Sequence, residues 1–225
     1  MKYFITGIDT DAGKSVVTGL LAKFLLSIGK NVITAKLVET GNTTGISHDI
    51  TTHRKIMGQE LNYLDYNNDT CPQLFELPAS PHLAASLENS YIDFELINNK
   101  LMHLEEQFEI VLVEGAGGLF VPLKGKYTTF DFIVENYSPV IVVSTNKLGS
   151  INHTLMTVNH LLSSMVQVAG IVYNKIYDEN PLITQDTEEY LKNYYETIPV
   201  IPVDKIDLKN PPIIDFTPIF ENTMN

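Results

Sequence analysis

The 225-residue sequence contains a single cysteine, Cys71. One cysteine excludes an internal disulfide and a cysteine-rich metal cage. The sequence also lacks an apolar run of the roughly 18 residues that a membrane span needs: its longest apolar segment, residues 16–28, is interrupted by Thr18, Lys23 and Ser27. The N-terminus has neither a basic region nor an apolar block of the secretory kind. These absences predict a cytoplasmic protein without membrane-spanning segments.

Positive charge is scarce as well. Fifteen Lys and Arg residues stand against 27 Asp and Glu residues, which gives a formal net charge of −12. This sign opposes binding to a nucleic-acid backbone or to an anionic membrane surface. We therefore expect neither nucleic acid nor membrane as a main partner. The length and the 44% of hydrophobic residues predict one globular domain over residues 1–225.

Short β-branched and aliphatic runs alternate with longer helical patterns along the chain. This alternation predicts an α/β fold with a doubly wound, mostly parallel sheet and helices on both faces. Helices are predicted over residues 17–28, from the N-cap Asp93 onward and after Ser150, whereas residues from Asn210 onward are predicted to be irregular. The six predicted strands are Tyr3–Thr6, Val32–Ala35, Ile110–Val113, Val140–Ser144, Gly170–Tyr173 and Ile198–Ile201.

Residues 7–15, GIDTDAGKS, lie between the first predicted strand and the first predicted helix. A glycine-bearing loop that ends in Lys-Ser in this context is typical of phosphate binding. Backbone N–H groups at the helix N-terminus bind phosphate oxygens, Lys14 adds positive charge, and the Ser15 hydroxyl can ligate Mg²⁺. The usual pattern is G-x-x-x-x-G-K-[ST], but here Ile8 occupies the first glycine position. An ordinary glycine-containing turn is the alternative.

Further candidates lie at the ends of other predicted strands. Ligands of open α/β sheets bind at the carboxyl ends of the strands, so Glu114 should face the same crevice as Lys14 and suits Mg²⁺. Lys36 is placed to hold anionic reacting groups, or is a surface lysine. Asn174 can read a base edge, or forms a turn. Taken alone, Asp49 is a solvated loop acid; the alternative for Glu114 is a surface acid above a glycine turn.

The other reactive side chains form no recognisable site. The six histidines show no metal-ligand spacing and no accompanying Ser-His-Asp signature. Cys71 precedes Pro72 in a polar loop. We therefore assign neither the histidines nor the cysteine to the site.

Five segments, in this order, resemble the dethiobiotin synthetase family within the P-loop NTPase-like superfamily. They are GIDTDAGKS at 7–15, KLVETG at 36–41, PASPH at 78–82, VEGAGG at 113–118 and KLGSINH at 147–153. The displaced glycine of the phosphate loop matches that family's own spacing. The resemblance covers nearly the whole chain, and five ordered matches are far more specific than any one of them.

The resemblance implies an ATP- and Mg²⁺-dependent cyclo-ligase. Members of the family form a carbamate from 7,8-diaminononanoate and CO₂, phosphorylate it with ATP to a carbamic-phosphoric anhydride, and close the ring to dethiobiotin with release of ADP and phosphate. Lys14 and Lys36 would be the catalytic residues, because positive charge offsets the repulsion between carbamate and triphosphate. Ser15, Asp49 and Glu114 would hold Mg²⁺.

The resemblance also implies the binding residues. Thr10 and Thr40 would contact the diamine or carbamate, and Ser150 and Asn152 of a partner subunit would complete the site in a homodimer. Asn174 and its neighbours would meet the adenine, although the surroundings of residues 202–204 depart from the family. The full nucleotide set is Asp11, Ala12, Gly13, Lys14, Ser15, Val16, Asp49, Glu114, Gly115, Ala116, Gly117, Asn174, Lys175, Pro202, Val203 and Asp204.

Two alternatives to a dethiobiotin synthetase remain at this stage. One is another phosphate-loop ATPase or synthetase. Partitioning ATPases usually carry an additional lysine near the start of the loop, where this sequence has Ile8 and Asp9. Amidotransferases usually add a glutaminase domain. The other is a catalytically silent nucleotide-binding regulator. The retained set of Lys14, Lys36 and the carboxylates argues against a regulator.

Overall fold

A computed structural model describes residues 1–177 and 179–224, and the side chains of these residues up to 221. The strands are β1 (Lys2–Gly7), β2 (Val32–Lys36), β3 (Glu39–Thr40), β4 (Leu74–Phe75), β5 (Ile110–Gly118), β6 (Pro122–Lys124), β7 (Tyr127–Thr128), β8 (Val140–Thr145), β9 (Val168–Lys175) and β10 (Val200–Asp204). The helices are α1 (Lys14–Ser27), α2 (His48–Met57), α3 (Tyr63–Tyr66), α4 (Pro81–Leu87), α5 (Phe94–Gln107), α6 (Thr129–Asn136), α7 (Ser150–Ser163), α8 (Pro181–Tyr194) and α9 (Thr217–Met224).

Six strands form the main sheet in the order β10-β9-β8-β1-β5-β2. Every neighbouring pair in it is parallel, which confirms the predicted fold class and all six predicted strands. β5 runs past its predicted end because its glycines continue the pairing, with Gly118 opposite Gly7 of β1. Two small sheets, β3-β4 and β6-β7, lie outside the main sheet.

Alternate side chains of the buried strands face opposite layers of helices. Tyr3 and Ile5 of β1 belong to one core with α1, α2 and the C-terminal segment, whereas Phe4 belongs to a second core with α5, α6 and α7. Parallel strands covered on both faces are expected to be apolar at successive positions, as these are. None of the described helices is long and apolar enough to cross a membrane.

The C-terminal segment differs from its prediction. Residues 211–216 are irregular as expected, but residues 217–224 form α9, so the prediction of an irregular end was wrong there. Pro218 lies in the first turn, where proline is tolerated because its missing N–H has no intrahelical partner. The ring of Phe220 packs against Tyr3 at a centroid distance of 5.1 Å, and this contact with the core favours the helix.

A buried ion pair fastens α2 to its surroundings. The Arg54 guanidinium donates two hydrogen bonds to Asp65 of α3, from Nε to Oδ2 at 2.9 Å and from Nη2 to Oδ1 at 2.8 Å. Arg54 Nη1 also donates to Thr34 Oγ1 of β2 at 2.8 Å, and Thr70 Oγ1 donates to Asp65 Oδ1. Arg54 is 1% exposed. This network fixes α2 beside the carboxyl ends of the sheet strands.

Candidate active site

The phosphate loop turns from β1 into α1 through two left-handed residues. Gly13 is the N-cap of α1 with φ +83°, and Asp11 has φ +59°. Because glycine has no side chain, the first N–H groups of α1 stay accessible to a ligand, as anion binding at a helix N-terminus requires. Lys14 Nζ donates to the Asp9 carbonyl oxygen at 3.2 Å. The loop therefore has the geometry of a phosphate-binding loop.

Two side chains, one near the carboxyl end of β9 and one just after it, hold this loop. Asn174 Nδ2, at the carboxyl end of β9, donates to the Ala12 carbonyl oxygen at 3.1 Å. Tyr177 donates its hydroxyl to the Asp11 carbonyl oxygen at 3.2 Å. Asn174 is buried within a strand rather than in a turn. Sequence reasoning missed Tyr177, because its contact spans 166 residues and has no local signature.

Replacing Gly13 with alanine should impair nucleotide binding more than it impairs folding. A Cβ at Gly13 would lie 2.2 Å from Asn174 Nδ2, so the loop would lose that hydrogen bond. Losing one such bond corresponds to an affinity for ATP that is roughly tenfold weaker. Gly29→Ala is the matched control, because Gly29 also has a left-handed φ, +80°, but no described heavy atom within 4 Å of the added Cβ.

The measurements are the binding of a fluorescent ATP analogue and denaturant unfolding. Both variants should lose on the order of 1 kcal/mol from backbone strain. Only Gly13→Ala should lose nucleotide affinity, and equal affinities for the two variants would contradict a role of the Asn174 contact.

A cluster of one lysine and two carboxylates lies beside the loop. The parallel register of β2 and β5 places Lys36 next to Glu114, and Lys36 Nζ lies 2.8 Å from Glu114 Oε1 and 2.6 Å from Asp49 Oδ2. Ser15 Oγ donates to Asp49 Oδ1 at 2.6 Å and contacts Glu114 Oε1 at 3.0 Å. Lys36 also donates to the Gly115 carbonyl oxygen at 3.1 Å. The cluster places positive and negative charge together at the carboxyl ends of the strands.

Burial and the neighbouring charges act in opposite directions on this cluster. Burial alone would lower the pKa of Lys36, but the Glu114 and Asp49 carboxylates outweigh it and raise that pKa. Burial alone would raise the pKa of Glu114, but Lys36 and His53 outweigh it and lower that pKa. Lys36 and Glu114 therefore stay charged at neutral pH. For Lys14, burial and the repulsion from Lys36 together lower the pKa.

Asp49 reaches the cluster because it lies in the first turn of α2, a helix that the sequence analysis did not predict. Ser47 is its N-cap and accepts a hydrogen bond from the Ile50 N–H at 3.0 Å. Glu39 accepts from Ser47 Oγ and from the His48 N–H. A serine N-cap followed by an acid in the first turn is the local signal that identifies this helix start. Few apolar residues follow, so the helical pattern itself is weak.

His53 also joins the cluster, although no pattern in the sequence assigns it to the site. Its Nε2 lies 2.7 Å from Glu114 Oε2. The contact joins residues 61 positions apart, so no spacing pattern in the sequence reveals it.

One cavity of about 340 Å³ unites half of the predicted nucleotide residues. Among its members, the Ser15 hydroxyl and the carboxylates of Asp49 and Glu114 offer hard oxygen ligands of the kind that Mg²⁺ prefers. In the described part of the chain no group of three or more His, Cys, Asp or Glu side chains could hold a metal ion. The cavity is lined by Thr10, Asp11, Gly13, Lys14, Ser15, Val16, Lys36, Asp49, Glu114 and Gly117.

A second cavity of about 670 Å³ contains Lys175 and Asp204. Lys175 Nζ lies 2.8 Å from Glu188 Oε2 and 3.2 Å from Asp204 Oδ1. Pro202 is half-buried, and the side chain of Val203 packs in the core. Any ligand contact of Val203 therefore has to come from its backbone.

A groove of about 730 Å³ runs from the phosphate loop along α7. Thr10 lies at its start, and Leu119, Phe120, Val121 and Met156 give it apolar walls. These wall residues were not part of the sequence-based site. The volume and the apolar walls of the groove suit a ligand with an aliphatic chain.

The remaining predicted substrate residues do not line these three cavities; they are Thr40, Ser150 and Asn152. Thr40 is half-buried in β3, opposite Phe75 of β4. Ser150 is buried at the start of α7, and Asn152 is exposed, with its Nδ2 3.6 Å from Met156 Sδ. Within one chain, the described residues do not bring Thr40 or Asn152 into the lining of these cavities.

Sequence comparison identifies close relatives. Residues 1–206 match a P-loop family model described as an AAA domain. The chain is 46% identical over 194 residues to the ATP-dependent dethiobiotin synthetase BioD 2 of Pasteurella multocida, covering 86% of this chain and 91% of the relative. It is 41% identical over 213 residues to the ATP-dependent dethiobiotin synthetase BioD of Chlorobaculum tepidum, covering 92% and 89%.

Comparison with solved structures shows the P-loop NTPase fold. The MinC:MinD cell division protein complex of Aquifex aeolicus is similar with a TM-score of 0.55 at 15% identity, over 93% of this chain and 85% of that one. A plasmid partition protein of Borrelia burgdorferi B31 bound to AMPPNP is similar with a TM-score of 0.54 at 14% identity, over 98% and 94%. At these identities the similarity concerns the fold alone. The identities to the two synthetases are far higher, and the chain therefore belongs to the ATP-dependent dethiobiotin synthetase family.

Proposed function

We propose that this synthetase activates a carbamate of 7,8-diaminononanoate with ATP at the cavity beside the phosphate loop. The observation that carries the proposal is the meeting of Lys14, Lys36, Ser15 and two carboxylates within that cavity. A carbamate oxygen attacks the γ-phosphorus and ADP leaves; the second amine then attacks the carbamate carbon and phosphate leaves. The first step needs negative groups held close together, which fixed positive charge permits, and the second needs the charge of the leaving phosphate stabilised.

Ser15, Asp49 and Glu114 would hold Mg²⁺. Asp49 Oδ1 and Glu114 Oε1 lie 2.6 Å and 3.0 Å from the Ser15 hydroxyl oxygen, and the donor set fits a hard cation. When bound, Mg²⁺ supplies positive charge against the phosphate oxygens. Lys14 would bind phosphate oxygens beside the loop N–H groups, and Lys36 would bind the carbamate.

The apolar groove along α7 would hold the carbon chain of the diamine. Thr10 lies where the groove meets the phosphate loop, and its hydroxyl would bind a reacting amine or carbamate. Thr40 would bind the same part of the substrate from the β3 side. Asn174 and Lys175, with residues 202–204, would contact the adenine next to the second cavity.

A homodimer would complete the substrate site, with Ser150 and Asn152 of the partner subunit at the diamine carboxylate. Support comes from large apolar side chains that stay exposed in one chain near α7: Phe120 is 57%, Leu148 77% and Met156 65% exposed. Exposed apolar groups in proximity mark interaction surfaces. We further propose that residues 1–225 act as one domain in the cytoplasm.

The activity is tested with purified protein, ATP, MgCl₂, bicarbonate and 7,8-diaminononanoate. We expect ADP, phosphate and dethiobiotin in equal amounts, detected by coupled phosphate release and mass spectrometry. Phosphate release that is independent of the diamine would indicate a different phosphate-loop ATPase. Absence of both products would indicate a nucleotide-binding regulator.

Glu114→Gln should raise the Mg²⁺ concentration needed for half-maximal turnover roughly tenfold or more, because one charged ligand is lost. The measurement is a MgCl₂ titration of the steady-state rate at a fixed concentration of ATP. Glu106→Gln is the control, since Glu106 is an exposed residue of α5. An unchanged titration in Glu114→Gln would remove Glu114 from the set of metal ligands.

A further inference from the structure

His53 is a fully buried side chain that no step of the proposed reaction uses. It lies in the middle of α2 with 0% of its surface exposed, and it does not line the cavity at the phosphate loop. Its Nε2 lies 2.7 Å from Glu114 Oε2. Because an ionised carboxylate can only accept hydrogen bonds, Nε2 carries the hydrogen in this contact.

The other ring nitrogen gives a reason to look for a role beyond packing. His53 Nδ1 is buried and has no hydrogen-bond partner in the described part of the chain. A buried polar atom without a partner is unfavourable, and an aliphatic side chain would fill the same space without it. The hydrogen bond that Nε2 donates to Glu114 is therefore what explains a histidine at this position.

The two oxygens of Glu114 have different surroundings. Oε1 lies 2.8 Å from Lys36 Nζ and 3.0 Å from Ser15 Oγ, on the side of the cavity. Oε2 is bonded to His53, on the side of α2. The last torsion of a glutamate side chain has a broad preference, so without His53 the carboxylate plane would be held only through Oε1.

The spacing along α2 links this contact to the second carboxylate. Asp49 and His53 are four residues apart, which places both on one face of the helix. Helix α2 therefore contributes the Asp49 carboxylate to the cavity and, through His53, a hydrogen bond to Oε2 of Glu114.

We infer that His53 is a positioning residue that orients the Glu114 carboxylate so that Oε1 faces the site of the Mg²⁺–nucleotide complex. The inference rests on the proposed role of Glu114 as a metal ligand. Hydrogen bonds from outside the ligand set that orient a ligand typically change metal affinity 10- to 100-fold. The contribution of His53 is thus to metal affinity and not to contact with the nucleotide.

The test compares His53→Leu with His53→Gln, using Mn²⁺ as the probe. Free Mn²⁺ is measured by electron paramagnetic resonance in a titration of the full chain in the presence of AMP-PNP. We expect His53→Leu to weaken Mn²⁺ binding at least about tenfold. His53→Gln keeps an N–H donor at a similar reach and should retain most of the affinity. Should His53→Leu fail to fold, His53→Asn replaces it, because its amide is too short to reach Glu114.

A merely structural role of His53 makes a different prediction. It would lower the unfolding midpoint of both variants and leave Mn²⁺ affinity unchanged in the folded fraction. Binding of AMP-PNP in EDTA should be the same in wild type and both variants. Wild-type Mn²⁺ affinity in His53→Leu, or an equal loss in His53→Gln, would overturn the inference.

Glu114→Gln separates this inference from the proposed function. If Glu114→Gln binds Mn²⁺ as tightly as wild type, then Glu114 is not a ligand and the proposed metal site fails. If Glu114→Gln weakens Mn²⁺ binding and His53→Leu does not, then only the role of His53 is refuted.

Discussion

Lys36→Met should lower kcat by about 10²–10³-fold, the usual cost of removing a positioned donor that stabilises developing charge. It should also lower the free energy of unfolding by about 3–5 kcal/mol, because the buried Glu114 carboxylate is left without the positive charge of Lys36. Lys36 lies 2.8 Å from Glu114, which is 1% exposed. Steady-state kinetics and urea unfolding measure the two effects.

The double variant Lys36→Met/Glu114→Gln separates stability from catalysis. Removing the carboxylate charge removes the uncompensated ion, so the free energy of unfolding should largely recover, while turnover should stay low. Lys126→Met is the control for the loss of an exposed lysine. A double variant that regains turnover, or a Lys36→Met enzyme of normal kcat, would be incompatible with the proposed role of Lys36.

Arg54→Met should destabilise the fold by about 3–5 kcal/mol, because it leaves the Asp65 carboxylate buried and unpaired. Asp65 accepts two hydrogen bonds from Arg54 and one from Thr70, and it is 3% exposed, so solvent has little access to replace the guanidinium. Asp65→Leu should lower the free energy of unfolding by a similar amount. The measurement is urea unfolding followed by circular dichroism.

The double variant Arg54→Met/Asp65→Leu should recover much of this loss, since apolar pairs of similar volume often match buried ion pairs in stability. Lys192→Met is the control at the surface. Lys192 forms an ion pair with Glu188 one helical turn away, and losing this pair should lower the free energy of unfolding by less than about 1 kcal/mol. Equal losses for the buried and the exposed pair would mean that burial does not determine the strength of the Arg54 network.

The fold was predictable because its determinants are local. Each strand of the main sheet is a short apolar run, and the phosphate loop is a contiguous segment. The polar helix α2 was missed because it is stabilised by contacts with other elements, such as Arg54 with Thr34 of β2, rather than by an apolar stripe. For the same reason α9 was missed, since its helix depends on packing against Tyr3.

The site was predictable as far as it lies at strand ends. Lys14, Lys36 and Glu114 follow or end successive predicted strands, and the parallel sheet brings the carboxyl ends of these strands together. Asp49 could be assigned only through the resemblance to the family. His53 and Tyr177 contribute through hydrogen bonds over 61 and 166 positions, and no pattern in one sequence encodes such distances.

The strand order also determines when the phosphate loop can form during synthesis of the chain. β1 is synthesised before the other strands of the main sheet, yet its two neighbours in the sheet begin at Ile110 and Val140. The loop that follows β1 is bound by Asn174 and Tyr177, which are made later still. Pairings between such distant residues slow folding, because long loops must close before any contact forms. The first strand of the main sheet to be translated is thus among the last to gain all of its contacts, and the loop after it cannot form its hydrogen bonds to Asn174 and Tyr177 until these residues have emerged.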